Sequence, residues 1–184
     1  MRFLVLAGSL RPDSLNRRFG RHLAQRLEAL GHAVEVFDGE ALRLPLYEDS
    51  LPVPEALARL HRALQGAAGL VLVSPEYNAG IPAHLKNAVD WLSTLSPSPW
   101  PDLPVLLCAC SPGALGGARG LLAWRPTLAN LGALALPQVI TVPGADQTLD
   151  AQGAPLDPRS AEATTRALDA LIHLAGRLRG PSLQ

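Results

Sequence analysis

Five short apolar runs alternate with longer stretches of helical periodicity along the whole chain. A parallel strand needs a long crossover connection, usually a helix, so this alternation is typical of βαβ units in a parallel sheet. The chain has 184 residues, which suits one domain with a substantial core. The apolar runs predict strands at residues 2–7, 33–37, 70–74, 105–110 and 134–142.

Apolar residues at a spacing of three or four positions predict helices between these strands. Gly31 and Gly66 are expected to end the first two helices. Pro82 is expected to open the third, whose apolar stripe runs to Leu95. Pro126 lies within the fourth and is expected to kink it.

Three further features complete the fold prediction. Residues 96–104, with four prolines, and the polar residues 144–158 are expected to be loops. Pro137 is expected to interrupt or bend the fifth strand. The sequence therefore predicts an α/β fold: a three-layer, doubly wound, five-stranded parallel sheet with strand order 2-1-3-4-5, in a single domain of residues 1–184.

The charge balance argues against two classes of partner. The chain carries 16 Lys and Arg against 16 Asp and Glu, which gives a net charge of zero and a pI of about 7.0. A nucleic-acid or membrane-surface partner would favour a basic patch. No apolar run approaches the roughly 18 residues that span a bilayer, and the first residues fit a strand better than a signal peptide. A cytoplasmic location is expected by elimination.

Cys108 and Cys110 are separated by one residue within an apolar strand. Their side chains should point to the same face of the sheet, which is too strained for a disulfide. No further ligand residues accompany them as a metal site would require. We expect two buried core thiols.

The loop after the first strand, residues 8–16, collects groups that bind anions. It contains Ser9, Arg11, Ser14 and Asn16 at the start of a helix, where free N–H groups and the helix dipole favour negative charge. The pattern is neither a Walker loop nor G-x-G-x-x-G, and its size suits one terminal phosphomonoester. The alternative is an ordinary Ser-capped helix beside a solvated arginine.

Two later loops complete the candidate site. Residues 75–82 follow the third strand, where Tyr77 could border a planar ring; alternatively, Tyr77 packs on Trp91 and Asn78 makes an Asx turn. Residues 111–119 follow the fourth strand, and their three glycines permit close approach of a ligand or form a flexible turn. Strands one, three and four are adjacent in the predicted order. Their loops should therefore converge on one crevice for a flat mononucleotide.

Three motifs carry a family resemblance: G-S-L-R-x-x-S-x-N at 8–16, P-E-Y-N-x-x-I-P-x-x-L-K-N-A-V-D-W at 75–91, and S-x-G-x-x-G-G-x-R at 111–119. Together they resemble the signatures of the NAD(P)H-dependent FMN reductases, a flavodoxin-like family that includes quinone, azo-dye and chromate reductases. The resemblance extends from the first strand to about Pro137, and the segment at 44–47 is also similar to the family's loop after the second strand.

The resemblance implies a set of cofactor-binding residues and no catalytic side chain. FMN would be the cofactor, NADPH or NADH the reductant, and a small molecule the electron acceptor. Homodimers or homotetramers are common in the family, so Lys86, Asn87 and Trp91 are expected to serve packing or assembly. The implied flavin contacts are Ser9, Arg11, Ser14, Leu15 and Asn16 at the phosphate, Pro75, Glu76, Tyr77 and Asn78 along the isoalloxazine ring, and Ser111, Gly113 and Gly116 at its other edge.

The chemistry expected on this basis is hydride transfer from NAD(P)H to flavin N5 and onward to a quinone, free flavin, azo compound or metal oxyanion. Backbone N–H groups of residues 113–117 are hypothesised to stabilise negative charge near the flavin N1–C2=O. The alternatives are a flavodoxin-type electron carrier, disfavoured by the neutral charge, and a non-catalytic flavin-binding redox module. A hydrolase is disfavoured because no cysteine follows the first strand and no G-x-S-x-G occurs.

Overall fold

The structure is a computed structural model and describes residues 1–180. Its five parallel strands form one sheet in the order β2-β1-β3-β4-β5, as predicted. The strands are β1 (Arg2–Ala7), β2 (Ala33–Phe37), β3 (Gly69–Val73), β4 (Pro104–Cys110) and β5 (Leu134–Val142). The helices are α1 (Leu15–Ala29), α2 (Glu55–Gln65), α3 (Ala83–Ser93), α4 (Ala118–Asn130), α5 (Ala145–Thr148) and α6 (Pro158–Leu178), with a 3₁₀ helix at Gly39–Leu42.

Helices cover both faces of the sheet, which gives the three predicted layers. Successive strand residues face opposite sides. Leu70 and Leu72 of β3 therefore belong to one core with residues of α2, α3 and α4. Val71 and Val73 belong to a second core with residues of α1 and α6. Every residue of β3 and β4 is buried, which explains why these strands are apolar runs rather than alternating patterns.

Cys108 and Cys110 lie in the core beneath α1 and α6, and both are free thiols. Burial raises the pKa of Cys110 to about 12, against a smaller lowering by the positive charge of Arg18. Burial also raises the pKa of Cys108 well above its ordinary value. The prediction of buried core thiols is confirmed.

The segment at 144–158 is more ordered than the predicted loop. It contains the short helix α5 and a tight turn held by Asp150. Asp150 Oδ1 accepts hydrogen bonds from the backbone N–H groups of Gln152 and Ala154, at 2.9 and 2.8 Å. A carboxylate thus orders a polar segment that has no apolar periodicity.

Three details of the elements differ from or refine the predictions. Helix α3 ends at Ser93, so Leu95 lies beyond it, although Leu95 still packs on the core. Strand β5 is irregular at Pro137, as predicted: the pairing with β4 shifts register where Val139, rather than Pro137, lies opposite Leu107. Pro126 lies inside α4, which continues through it.

No helix within residues 1–180 is long and apolar enough to cross a membrane.

Helix α3 fixes the loop that follows β2. Asn87 Oδ1 accepts from the Tyr47 backbone N–H at 2.8 Å, and Asn87 Nδ2 donates to the Pro45 carbonyl at 2.8 Å. The buried Trp91 donates Nε1–H to the same carbonyl at 2.9 Å, and its ring lies 5.1 Å from that of Tyr47. Lys86 makes only an ion pair with Asp90, one turn along the helix. Asn87 and Trp91 therefore serve packing, as expected.

We expect Asn87→Ala to lower the free energy of unfolding by about 2 kcal/mol, because the Tyr47 N–H loses its partner and the Pro45 carbonyl loses one of its two donors. Its neighbour Lys86→Ala is the matched control and should cost less than about 0.5 kcal/mol, since it removes one exposed ion pair. Denaturant unfolding of both variants measures the difference. Equal losses would mean that the loop does not depend on Asn87.

Candidate functional site

The loops after β1, β3 and β4 converge at the carboxyl edge of the sheet, where the strand order predicts a crevice. Gly8, the first residue after β1, donates its N–H to the carbonyl of Val73 at the end of β3, at 2.9 Å. Asn16 at the start of α1 bonds to Cys110 at the end of β4. Direct hydrogen bonds thus join elements that are far apart in the chain.

Two buried hydroxyl groups lie where α1 begins. Ser9 is 3% exposed and accepts from the N–H of Arg11 at 3.4 Å; Ser14 is 2% exposed and accepts from the N–H of Asn16 at 3.2 Å. Within the described residues, neither hydroxyl donates its own hydrogen to an acceptor. Since a buried donor without an acceptor is costly, the two serines fit a ligand that supplies acceptor oxygens. Phosphate is such a ligand.

Cationic side chains belong to the same loop and to the first turn of α1. Arg11 and Leu15 line a depression of about 500 Å³, together with Arg18 and the carboxylates of Asp13 and Asp146. Arg11 is exposed and makes no ion pair in the described part of the chain. Ser14 also caps α1, so the Ser-capped helix and the anion site coexist in this loop. The residues present fit a phosphate at the positive end of α1.

Asn16, expected at the phosphate, has hydrogen-bond partners within the chain itself. Its side chain is nearly buried, with Nδ2 donating to the Cys110 carbonyl at 2.9 Å. Its Oδ1 accepts from the Cys110 backbone N–H at 3.1 Å. Both ends of the amide are therefore used. Asn16 fastens α1 to β4 and so positions the loop that is expected to hold the phosphate. Its contact with the ligand stays a prediction.

The loop after β3 displays an aromatic ring and an amide. Tyr77 and Gly80 exchange backbone hydrogen bonds of 3.2 and 2.9 Å across a two-residue turn. Asn78 and Ala79 in that turn have positive φ, 49° and 61°, as a type I′ hairpin requires. Tyr77 is 46% exposed at the mouth of the crevice, and Pro75 beneath it is buried. Tyr77 does not pack on Trp91, whose ring partner is Tyr47.

Glu76, expected along the flavin ring, is bound to the neighbouring loop through both of its carboxylate oxygens. Its Oε1 accepts from Arg119 Nε and Nη2 at 2.9 and 2.6 Å, and its Oε2 accepts from the Gly120 N–H at 3.0 Å. Burial alone would raise the pKa of Glu76, which is 11% exposed, but the bonds from Gly120 and Arg119 outweigh it and lower that pKa. Glu76 thus holds the loops after β3 and β4 together.

The loop after β4 is shaped by two glycines with positive φ. A Cβ on Gly116 (φ 57°) would lie 2.8 Å from the backbone of Val142 and Pro143, and one on Gly117 (φ 91°) would lie 2.7 Å from Ala109. Gly116 is buried and donates its N–H to the Gly113 carbonyl at 3.1 Å. Its amide is therefore unavailable for the hypothesised stabilisation of flavin charge. That role would fall to other amides of the loop.

Ser111 and Gly113, which are also expected to border the flavin, remain accessible. Ser111 is half-buried and Gly113 is exposed. The Ser111 N–H donates to Val142 of β5 at 3.1 Å, which fixes the start of the loop against the sheet. The expectation that Ser111 and Gly113 border the flavin stays a prediction.

His84, which the motif analysis did not single out, joins the first two loops. Its Nε2 lies 2.5 Å from the carbonyl of Gly8, and its ring centroid lies 6.0 Å from that of Tyr77. A histidine in the first turn of a helix gives no sequence signal of this contact. The contact forms because β1 and β3 are adjacent in the sheet, which brings Gly8 and His84 together.

We expect Glu76→Gln to lower the free energy of unfolding at pH 7 by about 2 kcal/mol, since a neutral amide cannot replace the charge-assisted hydrogen bonds from Arg119 and Gly120. Because folding lowers the pKa of Glu76, its stabilising contribution is present above the ordinary value of 4.5 and is lost as pH falls through the lowered pKa. The difference between wild type and variant should therefore shrink in acid. Denaturant titrations over this range measure it.

The exposed Glu28, whose side chain has no hydrogen bond or ion pair in the described chain, provides the matched control Glu28→Gln. This control should leave stability unchanged across the range. A Glu76→Gln penalty that persists undiminished in acid would show that the loss comes from packing rather than from the carboxylate.

Comparisons with known proteins point to one family. The family model for NADPH-dependent FMN reductase matches residues 1–147. An NAD(P)H-dependent FMN reductase of Pseudomonas aeruginosa is 33% identical over 185 residues, covering 98% of each chain. A quinone reductase of Escherichia coli K12 is 32% identical over 183 residues, covering 97% of this chain and 92% of the relative.

A solved structure agrees as well. The flavoenzyme NAD(P)H:(acceptor) oxidoreductase FerB from Paracoccus denitrificans superimposes with a TM-score of 0.82 at 27% identity, covering 95% of this chain and 96% of that one. Sequence and structure thus agree over nearly the whole described chain. The chain belongs to the NADPH-dependent FMN reductase family.

Proposed function

We propose that this chain is an FMN-dependent oxidoreductase that uses NADPH or NADH to reduce a small-molecule acceptor. The observation that carries the proposal is the pair of buried serine hydroxyls, Ser9 and Ser14, without acceptors at the positive end of α1. The adjoining loops display an aromatic ring and an amide. Bound FMN would supply the hydride chemistry, accepting at N5 and passing reducing equivalents onward.

The chain's own residues bind and orient the cofactor in this proposal. Ser9 and Ser14 donate their hydroxyl hydrogens to the phosphate, and the exposed Arg11 adds a guanidinium. Tyr77 and Asn78 border the ring. The hairpin turn and the hydrogen bond between Glu76 and Gly120 hold them in place. No side chain is assigned an acid–base role.

The acceptor is proposed to be a quinone, a free flavin, an azo compound or a metal oxyanion. A relative named as a quinone reductase supports the first, and one from Bacillus sp. strain OY1-2 named as an NADPH azoreductase supports the third. The exposure of Tyr77 at the crevice mouth supports an open site that admits a flat molecule over the ring.

When NADPH or NADH is mixed with purified, FMN-saturated protein in the absence of oxygen, the visible absorption of the flavin should disappear during the recorded reaction. Absorption should return when a quinone follows. Anaerobic stopped-flow spectroscopy measures both steps. A flavodoxin-type carrier or a non-catalytic redox module would bind FMN but fail to bleach directly, and a protein that does not bind FMN would contradict the proposal altogether.

We also propose a homodimer or homotetramer located in the cytoplasm. Three apolar side chains near the carboxyl edge support the assembly, because they are about half-exposed or more in a single copy: Tyr77 at 46%, Leu115 at 53% and Leu122 at 62%. The free thiols of Cys108 and Cys110 support a reducing compartment.

Light scattering should give a mass of two or four chains for the wild type. Leu122→Glu should shift the protein toward the monomer, because it places a charge in the proposed contact. The exposed Leu30 at the end of α1, remote from the carboxyl-edge loops, offers the control Leu30→Glu. A monomeric wild type would overturn the assembly proposal.

A further inference from the structure

Arg18 lies on α1 one turn after the cap residue Ser14 and belongs to none of the three motifs. Side chains on a helix lean toward its N-terminus, so Arg18 covers the first turn. It lines the depression of about 500 Å³ that Arg11 and Leu15 also line. Arg18 therefore shares a concavity with two residues expected at the phosphate.

The guanidinium of Arg18 is incompletely satisfied. Its Nε is buried and has no hydrogen-bond partner within the described residues. Asp13 and Asp146 line the same depression, yet neither forms an ion pair with Arg18 in the described chain. The adjacent Arg17 also has an unpartnered Nε, but its terminal nitrogen binds Asp38. The Nε–H of Arg18 is therefore a donor that an anion bound in the depression would satisfy.

The charge of Arg18 acts on the end of β4. It is close enough to Cys110 to lower the pKa of that thiol, although burial has the larger and opposite effect. Cys110 is the residue whose backbone Asn16 holds. The guanidinium thus lies near the junction that positions the phosphate loop.

We propose that Arg18 is a second arginine of the phosphate site and binds the 5′-phosphate of FMN together with Ser9, Arg11 and Ser14. The inference rests on the proposed function. Arg11 is exposed on a loop, whereas Arg18 is held on a helix and half-buried. Arg18 therefore supplies the more preorganised cation, and it favours phosphorylated flavin over riboflavin.

The experiment compares FMN and riboflavin binding to apoprotein by quenching of flavin fluorescence at one fixed salt concentration. Arg18→Gln should weaken FMN about 10- to 100-fold, the range for a hydrogen bond to a charged group. The affinity for riboflavin, which lacks the phosphate, should change by less than about twofold. Arg18→Lys keeps the charge but loses the planar fork, so its FMN affinity should fall between the two.

Arg21 provides the matched control. It lies three residues further along α1, is exposed, and has no hydrogen bond or ion pair in the described chain. Arg21→Gln makes the same charge change and should leave both affinities within about twofold of wild type. If Arg21→Gln weakened FMN binding as much as Arg18→Gln does, the effect would come from net charge alone. The assignment of Arg18 to the phosphate site would then be overturned.

Thermal unfolding gives a second readout. Because Arg18 Nε lacks a partner in the chain itself, Arg18→Gln should not lower the melting temperature of the apoprotein. The rise in melting temperature on adding excess FMN should shrink, since that rise reports binding to the folded state. A lower apoprotein melting temperature would instead mean that Arg18 is a structural residue.

Other outcomes would also contradict the inference. Equal weakening of FMN and riboflavin, or no change in either, would remove Arg18 from the phosphate site. Unchanged FMN affinity with a reduced preference for NADPH over NADH would assign the guanidinium to a phosphate of the reductant. Failure of the wild type to bind FMN is a different result, because it would contradict the proposed function before any variant is compared.

Discussion

The hydrogen bonds between the Asn16 side chain and the Cys110 backbone are the interaction on which the site depends. They join the first turn of α1 to the end of β4 across 94 positions of sequence. The bond from Gly8 to Val73 joins the same loop to the end of β3, so the Asn16 bonds supply its direct link to the loop after β4. The amide satisfies one donor and one acceptor that would otherwise be buried unpaired.

Two further contacts extend this arrangement to the remaining loops. Glu76 binds the start of α4 through Arg119 and Gly120, and His84 binds the carbonyl of Gly8. These side chains are used in positioning, and the ligand is left to hydroxyl groups, guanidinium groups, exposed amides and one exposed aromatic ring. Such a division is expected where the cofactor carries the reaction and the protein supplies binding and orientation.

The sequence predicted the fold well because apolar periodicity and glycine and proline positions report local structure. The strands at 2–7, 33–37 and 134–142 and the sheet order agree with the structure. The roles of Asn16 and Glu76 could not be read, because their partners lie 94 and 43 or 44 positions away. Motif matching assigned both residues to the ligand and gave no sign of these contacts within the chain. Arg18 belongs to none of the three motifs, and the segment that contains α5 has no apolar periodicity. Neither could therefore be predicted from the sequence.

The most direct test of the central claim is a crystal structure of the FMN complex. The account predicts phosphate oxygens within about 2.5–3.2 Å of the hydroxyls of Ser9 and Ser14, with the flavin ring beside Tyr77. A second depression, of about 470 Å³, lies at the opposite edge of the sheet and is lined by Pro97, Pro101 and Arg179. FMN bound there, or a phosphate remote from the start of α1, would contradict the account.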